Sequence, residues 1–285
     1  MPVRSRAALF FGPVLFALAC GGDDPVAGGG GAAGAGASGG SSSSSGGGGQ
    51  SGATDLGPVW IINGGTKTVA IVDGKGGTVW SEDLASRPLS LRLDAGAAWI
   101  ILEQGGLVRY DLATHTKQAS VEGIRKPTLL AAAGGKVWVV DEDADSCGAA
   151  VDAGSIELLR IDAATNTIAS RQNLHLAAGA DKCARGDRID GLTADGQAAF
   201  AIVNNGFGVM RVDATTGLTA GTVKLGLEGG YGFGNGAVTS TTLWVVDGHS
   251  HRLLDLDPKT LVTRASVPVP ADVSGAEMTA SDAAV

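Results

Sequence analysis

The chain has 285 residues, with 21 basic against 29 acidic side chains and a net charge of −8. An acidic chain without a basic stripe is a poor partner for nucleic acid, and the length past the N-terminal segment suits one repeat-built domain better than two sizeable ones. The first predicted element is a leader over residues 1–19. Arg4 and Arg6 form its positive start, and Ala7 to Ala19 is apolar apart from Gly12 and Pro13. That run is too short to cross a bilayer but suits an export signal. It ends in Phe16-Ala17-Leu18-Ala19-Cys20.

Small residues before a cysteine at the end of such a run resemble the lipobox of bacterial lipoproteins. The resemblance implies that Cys20 is diacylated and becomes the first residue of the mature protein. Ala17 stands where leucine is commoner in that family. Gly21 follows the cysteine and Asp23 and Asp24 come only later, so the resemblance also implies the outer membrane, on its periplasmic or its surface side. An ordinary export signal with an incidental Cys20 is the other reading. The acyl chains would hold the protein to the membrane, since each buried methylene adds about 0.8 kcal/mol. Residues 20–56 then form the lipidated cysteine and a Gly/Ser/Ala tether, including Ser41 to Ser45 between glycine runs. Such a segment has almost nothing apolar to bury and is expected to be disordered. A coil of ~35 residues reaches roughly 30–35 Å.

From residue 58 onward one block recurs five times. Each copy has a strand with a large aromatic among Val, Ile or Leu, then a second strand closing on a hydrophobic residue and Asp. The copies run from Trp60 to Asp73, Trp99 to Asp111, Trp138 to Asp162, Phe200 to Asp213 and Trp244 to Asp257. Segments such as Pro88–Leu91, Pro127–Leu130 and Ile189–Leu192 supply a strand before the aromatic one. Segments such as Thr167–Arg171 and Val262–Val267 supply a strand after the Asp. Four short strands per repeat, at this period, predict the blades of a β-propeller spanning 58–285. The Asp-x-x-Thr segments at Asp111, Asp162, Asp213 and Asp257 are expected turns, because an Asp side chain accepts from backbone N–H groups just ahead of it. The aromatics are expected to fill the space between blades. The chain enters this region at Val59 as a second strand, and residues 276–285 read as a first strand. Pairing of the two would close a ring of about five blades and cover its open edges; a six- or seven-bladed chain cut short would look the same.

The Trp-Val-Val-Asp strands and Asp-x-x-Thr turns resemble the bacterial propellers of YVTN-type repeats, and more loosely the quinoprotein and streptogramin-lyase propellers. The quinoprotein likeness is strongest at Val72-Asp73-Gly74-Lys75-Gly76-Gly77-Thr78-Val79-Trp80. Only the first block carries that closing Trp, so the docking pattern of true quinoproteins is mostly missing.

The third block carries about eleven extra residues between Asp141 and Ser155, and a second insertion spans Ala178 to Arg188. Each holds one cysteine. With Cys20 lipidated, Cys147 and Cys183 are the remaining pair, and export favours a disulfide between them; two free thiols are the alternative. Asp141, Asp143, Asp145 and Asp152 occupy places one, three, five and twelve of a calcium-loop pattern. Ser146 replaces the usual glycine, and Asp152 is shorter than the usual Glu. A solvated acidic loop competes with the calcium reading. His249-Ser250-His251 offers two zinc-type donors without a third nearby, and Arg185-Gly186-Asp187 reads as a chance tripeptide.

These signals favour a lipid-anchored binding or interaction scaffold with an unidentified protein or small-molecule partner at the face carrying the block-three insertions. The competing reading is a propeller enzyme, a metal-assisted lyase or lactonase-like hydrolase, for which Asp190, Asn235 and Glu277 are the candidate channel residues. A quinone-dependent oxidoreductase ranks last. The sequence contains no nucleophile elbow, phosphate loop or zinc-protease motif.

Overall fold

A computed structural model describes residues 58–142, 156–174, 189–203, 208–225, 236–247 and 250–270. Every regular element in this set is a β-strand. The chain divides into two compact units. Among the described residues, one comprises 58–61 and Ala70–Ser81, and the other Ile62–Val69 and everything from Glu82 onward.

Five antiparallel sheets follow one another along the chain. The first has three strands, β1 (Val59–Asn63), β2 (Thr68–Val72) and β3 (Thr78–Asp83), in sequential order. Among the described residues no strand pairs ahead of the aromatic one in this sheet. In the smaller unit Trp60 packs against Trp80 with ring centroids 5.6 Å apart and the ring planes tilted by 53°.

The other four sheets have four strands each, in sequential order. Blade two is β4 (Pro88–Asp94), β5 (Ala97–Leu102), β6 (Leu107–Asp111) and β7 (Lys117–Val121). Blade three is β8 (Pro127–Ala133), β9 (Lys136–Glu142), β10 (Ile156–Asp162) and β11 (Thr167–Asn173). Blade four is β12 (Ile189–Ala194), β13 (Ala198–Val203), β14 (Gly208–Asp213) and β15 (Thr219–Lys224). Blade five is β16 (Gly236–Val238), β17 (Leu243–Asp247), β18 (Arg252–Leu256) and β19 (Thr263–Pro268). The inner strands β4, β8, β12 and β16 lie side by side in that order. The sheets thus correspond to about five propeller blades.

Period-two alternation on fully buried strands builds the core. On β9, Val137 and Val139 pack toward blade two with Trp99, Ile101 and Leu107, while Trp138 and Val140 pack toward blade four with Ala199, Ala201 and Met210. On β13, Ala199 and Ala201 face blade three, and Phe200 and Ile202 face Val245 and Leu256 of blade five. β9 and β13 therefore each give one face to each neighbour, and β13 is buried at every position. Trp99, Trp138 and Phe200 all point at the next blade along the chain and are fully buried. Trp244, the corresponding aromatic of blade five, is half-buried.

The strand joins repeat as faithfully as the core. A bulge interrupts the third-to-fourth strand register at Arg109/Tyr110, Arg160/Ile161, Arg211/Val212 and Asp255/Leu256. Bulges sharpen the local twist that lets blades splay outward. The turn after it is also constant. Asp111 Oδ1 accepts from Ala113 N and Thr114 N, Asp162 Oδ1 from Ala164 N and Thr165 N, Asp213 Oδ1 from Thr215 N and Thr216 N, and Asp257 Oδ1 from Lys259 N and Thr260 N. The fifth residue of each turn, His115, Asn166, Gly217 or Leu261, takes a positive φ and donates its N–H to the Asp carbonyl.

Candidate functional site

Antiparallel order puts the loops between second and third strands at one end of the blades and the Asp-x-x-Thr turns at the other. At the first end the described residues frame the blade-three insertion. Asp141 closes β9, and Glu157 lies at the start of β10. Asp141 is fully buried; Arg125 N and Lys126 N both donate to its Oδ1, at 3.2 and 2.6 Å, and Arg125 N also donates to Oδ2 at 3.1 Å. The Arg125 Nε lies 3.9 Å from it. Glu157 holds Arg171 at 2.9 Å and Arg125 at 3.6 Å, and Arg171 also donates to the Gly123 carbonyl at 2.6 Å. Asp141 is thus occupied in tying the β7–β8 connection to β9. Asp143, Asp145 and Asp152, together with Cys20, Cys147 and Cys183, lie outside the described residues, as do His249, Asn235, Glu277, the Arg185-Gly186-Asp187 tripeptide and the closing segment 276–285.

Two buried carboxylates therefore recur at the end of a second strand. Asp247 of β17, like Asp141, is almost fully buried; it accepts from Ser250 N at 3.2 Å and from the Ser250 hydroxyl. His251 is exposed and follows directly at positive φ.

Of the three channel candidates, Asp190 is described. It lies on β12 and, with Arg92, Ser90 and Thr128, lines a cavity of about 260 Å³ among the inner strands. Among the described residues no three carboxylate, His or Cys side chains gather at one point.

A larger cavity, about 560 Å³, opens at the Asp-x-x-Thr end between blades four and five. Its walls include Asp195, Gln197 and Arg211 from blade four and Thr239, Pro258 and Lys259 from blade five.

The third-strand arginines explain why this cavity sits there. Arg109, Arg160 and Arg211 each stand opposite the aromatic of their own blade, Trp99, Trp138 and Phe200. The Arg109 guanidinium lies 5.1 Å from the Trp99 ring centroid, a cation–π distance. Its Nη1 donates to the Ala163 carbonyl at 2.5 Å and to Asn166 Oδ1 at 3.0 Å, both in the turn of blade three. Arg160 Nη1 donates in the same way to the Ala214 and Thr215 carbonyls of blade four, at 2.5 and 2.8 Å. Arg109 and Arg160 each clamp the next blade's turn. These clamps were not anticipated, although their signal is plain: Arg two places before the Asp in three consecutive blocks.

Electrostatics at these turns follow from the same geometry. The N–H and hydroxyl donors of Thr114 and the N–H of Ala113, with the Arg109 charge, hold the Asp111 carboxyl below the usual carboxylate range. Asp213 and Asp257 are lowered by the equivalent donors, with Arg211 and Arg264 as their nearby cations. Tyr110 is buried and donates to Glu82 at 3.0 Å, and its hydroxyl is raised well above its ordinary value by that burial and by the Glu82 contact.

No protein-family model matches the chain. No curated protein matches its sequence either. Solved structures do match its fold. Hydrazine synthase of Kuenenia stuttgartiensis aligns at a TM-score of 0.59 and 12% identity, over 75% of this chain and 72% of that one. Dihydro-heme d1 dehydrogenase NirN, solved in complex with DHE, aligns at 0.54 and 14%, over 75% and 44%. BamB from Moraxella catarrhalis aligns at 0.53 and 17%, over 73% and 61%. The chain therefore spans less than two thirds of the length of the last two. At these identities the likeness is one of fold, and it makes the chain an all-β propeller protein.

Proposed function

We propose that this protein is a lipid-anchored propeller that acts outside the inner membrane as a binding or interaction scaffold. The observation that carries the reading is the order of its parts: an apolar leader ending in Ala17-Leu18-Ala19-Cys20, a Gly/Ser tether, then a propeller. A tether of this kind serves a surface that must reach a partner away from the membrane. The blade-three insertions are the proposed contact surface, since inserted loops on a rigid scaffold commonly carry recognition. The charged frame of Asp141, Arg125, Glu157 and Arg171 at the foot of the insertion supports this by fixing where its two ends emerge. The proposed address is the outer membrane, and the repeats are proposed to be of the YVTN type.

Anchoring is the first test. Metabolic labelling with an alkyne fatty acid is expected to mark the wild-type protein, and Cys20→Ser is expected to lose both label and membrane association. An unlabelled wild-type protein defeats the anchor. Cross-linking pull-downs from outer-membrane extract, with the 143–155 segment replaced by a short Gly/Ser loop as control, test the contact surface.

A further inference from the structure

We infer that the cavity between blades four and five is a binding site for an oxyanion, a phosphate or carboxylate group of a small molecule, with Arg211 as its principal donor. The site is independent of the insertion-face reading, because it lies at the opposite end of the blades.

The case rests on a break in an otherwise regular pattern. Arg109 and Arg160 spend Nη1 on carbonyls of the next blade's turn, 54 residues along the chain in each case. Arg211 holds the same register opposite the strand aromatic. Yet its Nη groups donate to no described residue; its Nε, like those of Arg109 and Arg160, is buried without a partner. In place of the clamp there is open space with Pro258 and Lys259 on the far wall.

Neighbouring geometry accounts for the gap. Between blades three and four the inner hairpins touch: a Cβ on Gly134 would come 2.7 Å from the Gly196 Cα. Between blades four and five the corresponding hairpin, from β16 to β17, turns through Thr239–Thr242. Its turn at Thr239 lines the cavity instead of filling it.

The lining suits an anion. Arg211 and Lys259 contribute two positive charges and Asp195 one negative, so the wall is net cationic in a protein of net charge −8. Asp195 Oδ1 already accepts from Gln197 N and Ala198 N at 2.7 Å. Asp213, whose carboxyl feels the Arg211 charge, is likewise engaged by its own turn. A planar guanidinium with free N–H groups matches a carboxylate or phosphate edge in bidentate fashion. Gln197 adds a neutral donor to the lining. The volume of about 560 Å³ falls within the range of small-molecule sites and exceeds what a bare ion needs.

The test is a titration of the purified full chain in mild detergent with inorganic phosphate and, separately, succinate, at constant ionic strength. Melting temperature and heat of binding are followed together. At least one anion is expected to bind saturably and raise the melting temperature. Stronger binding of phosphate assigns a phosphorylated ligand, and stronger binding of succinate a carboxylate one. Arg211→Gln is expected to weaken binding about tenfold or more, the weight of one charge-assisted hydrogen bond. Lys259→Gln, at an exposed position, is expected to weaken it less and serves if the first variant does not fold. Arg160→Gln is expected to lower the melting temperature while leaving the anion response intact. Absence of a saturable response to either anion in the wild type overturns the proposal, as does an undiminished response in both Arg211→Gln and Lys259→Gln.

Discussion

Ala95 and Gly96 form the two-residue link between β4 and β5, with φ of 47° and 79°. A link with both residues left-handed favours Asn-Gly, and alanine there carries a steric cost that asparagine reduces. Ala95 is exposed, so nothing else depends on its methyl. Ala95→Asn is expected to stabilise the protein by about 0.5–1 kcal/mol, read as a higher denaturant midpoint at unchanged slope. The turn aspartates make a second prediction at this scale. Asp111, Asp213 and Asp257 have folded-state carboxyls below their ordinary value because N–H and hydroxyl donors favour the ionised form. A lowered folded value means the ionised carboxylate is the stabilising form. That stabilisation is complete above the ordinary carboxylate range, near pH 4, and is lost as pH falls through the folded value. Denaturant midpoints are expected to fall below about pH 4, and replacing all three by Asn is expected to flatten that fall while lowering the neutral-pH midpoint. An unchanged acid limb in the triple variant contradicts the assignment.

The unit of this fold, at the scale of elements, is the blade together with its hold on the next one. Arg160 illustrates it. It pairs in register with Trp138 across β9 and β10 and reaches two carbonyls of the blade-four turn. Arg160→Leu keeps the bulk of the stem and removes the clamp. It is expected to cost about 1.5–3 kcal/mol, typical of hydrogen bonds that involve a charged donor. Arg211→Leu is expected to cost less, because no clamp is present to lose; similar losses at both positions in urea unfolding refute the distinction. The block pattern in the sequence made the strands, the turns and the inter-blade aromatics legible, since each is encoded by residues within a few places of one another. Pro88–Leu91, Asp111 to Thr114 and Trp138 all stand where their local chemistry put them. Asp141 accepts from the backbone of Arg125 and Lys126, fifteen or more residues back, partners that no local pattern names.

For the whole molecule the cysteines carry the remaining prediction. Peptide mapping of the exported protein without reductant is expected to recover Cys147 cross-linked to Cys183. In the chain-entropy description, closing 35 intervening residues would add roughly 3–4 kcal/mol. Recovery of both as free, alkylatable thiols excludes the bridge. The division between sequence and tertiary structure follows from range. By itself the sequence determined the strand period, the Asp-capped turns and hence the all-β propeller class, because strand alternation and turn chemistry act between near neighbours. It also carries the apolar run over 7–19 on which the expected export signal rests. Only the tertiary structure decided which arginine is satisfied. Arg109, Arg160 and Arg211 are equivalent in their local sequence, each two places before an Asp and each opposite an aromatic. Two of them find carbonyls 54 residues away and the third finds a cavity, because what faces a strand is supplied by the next blade.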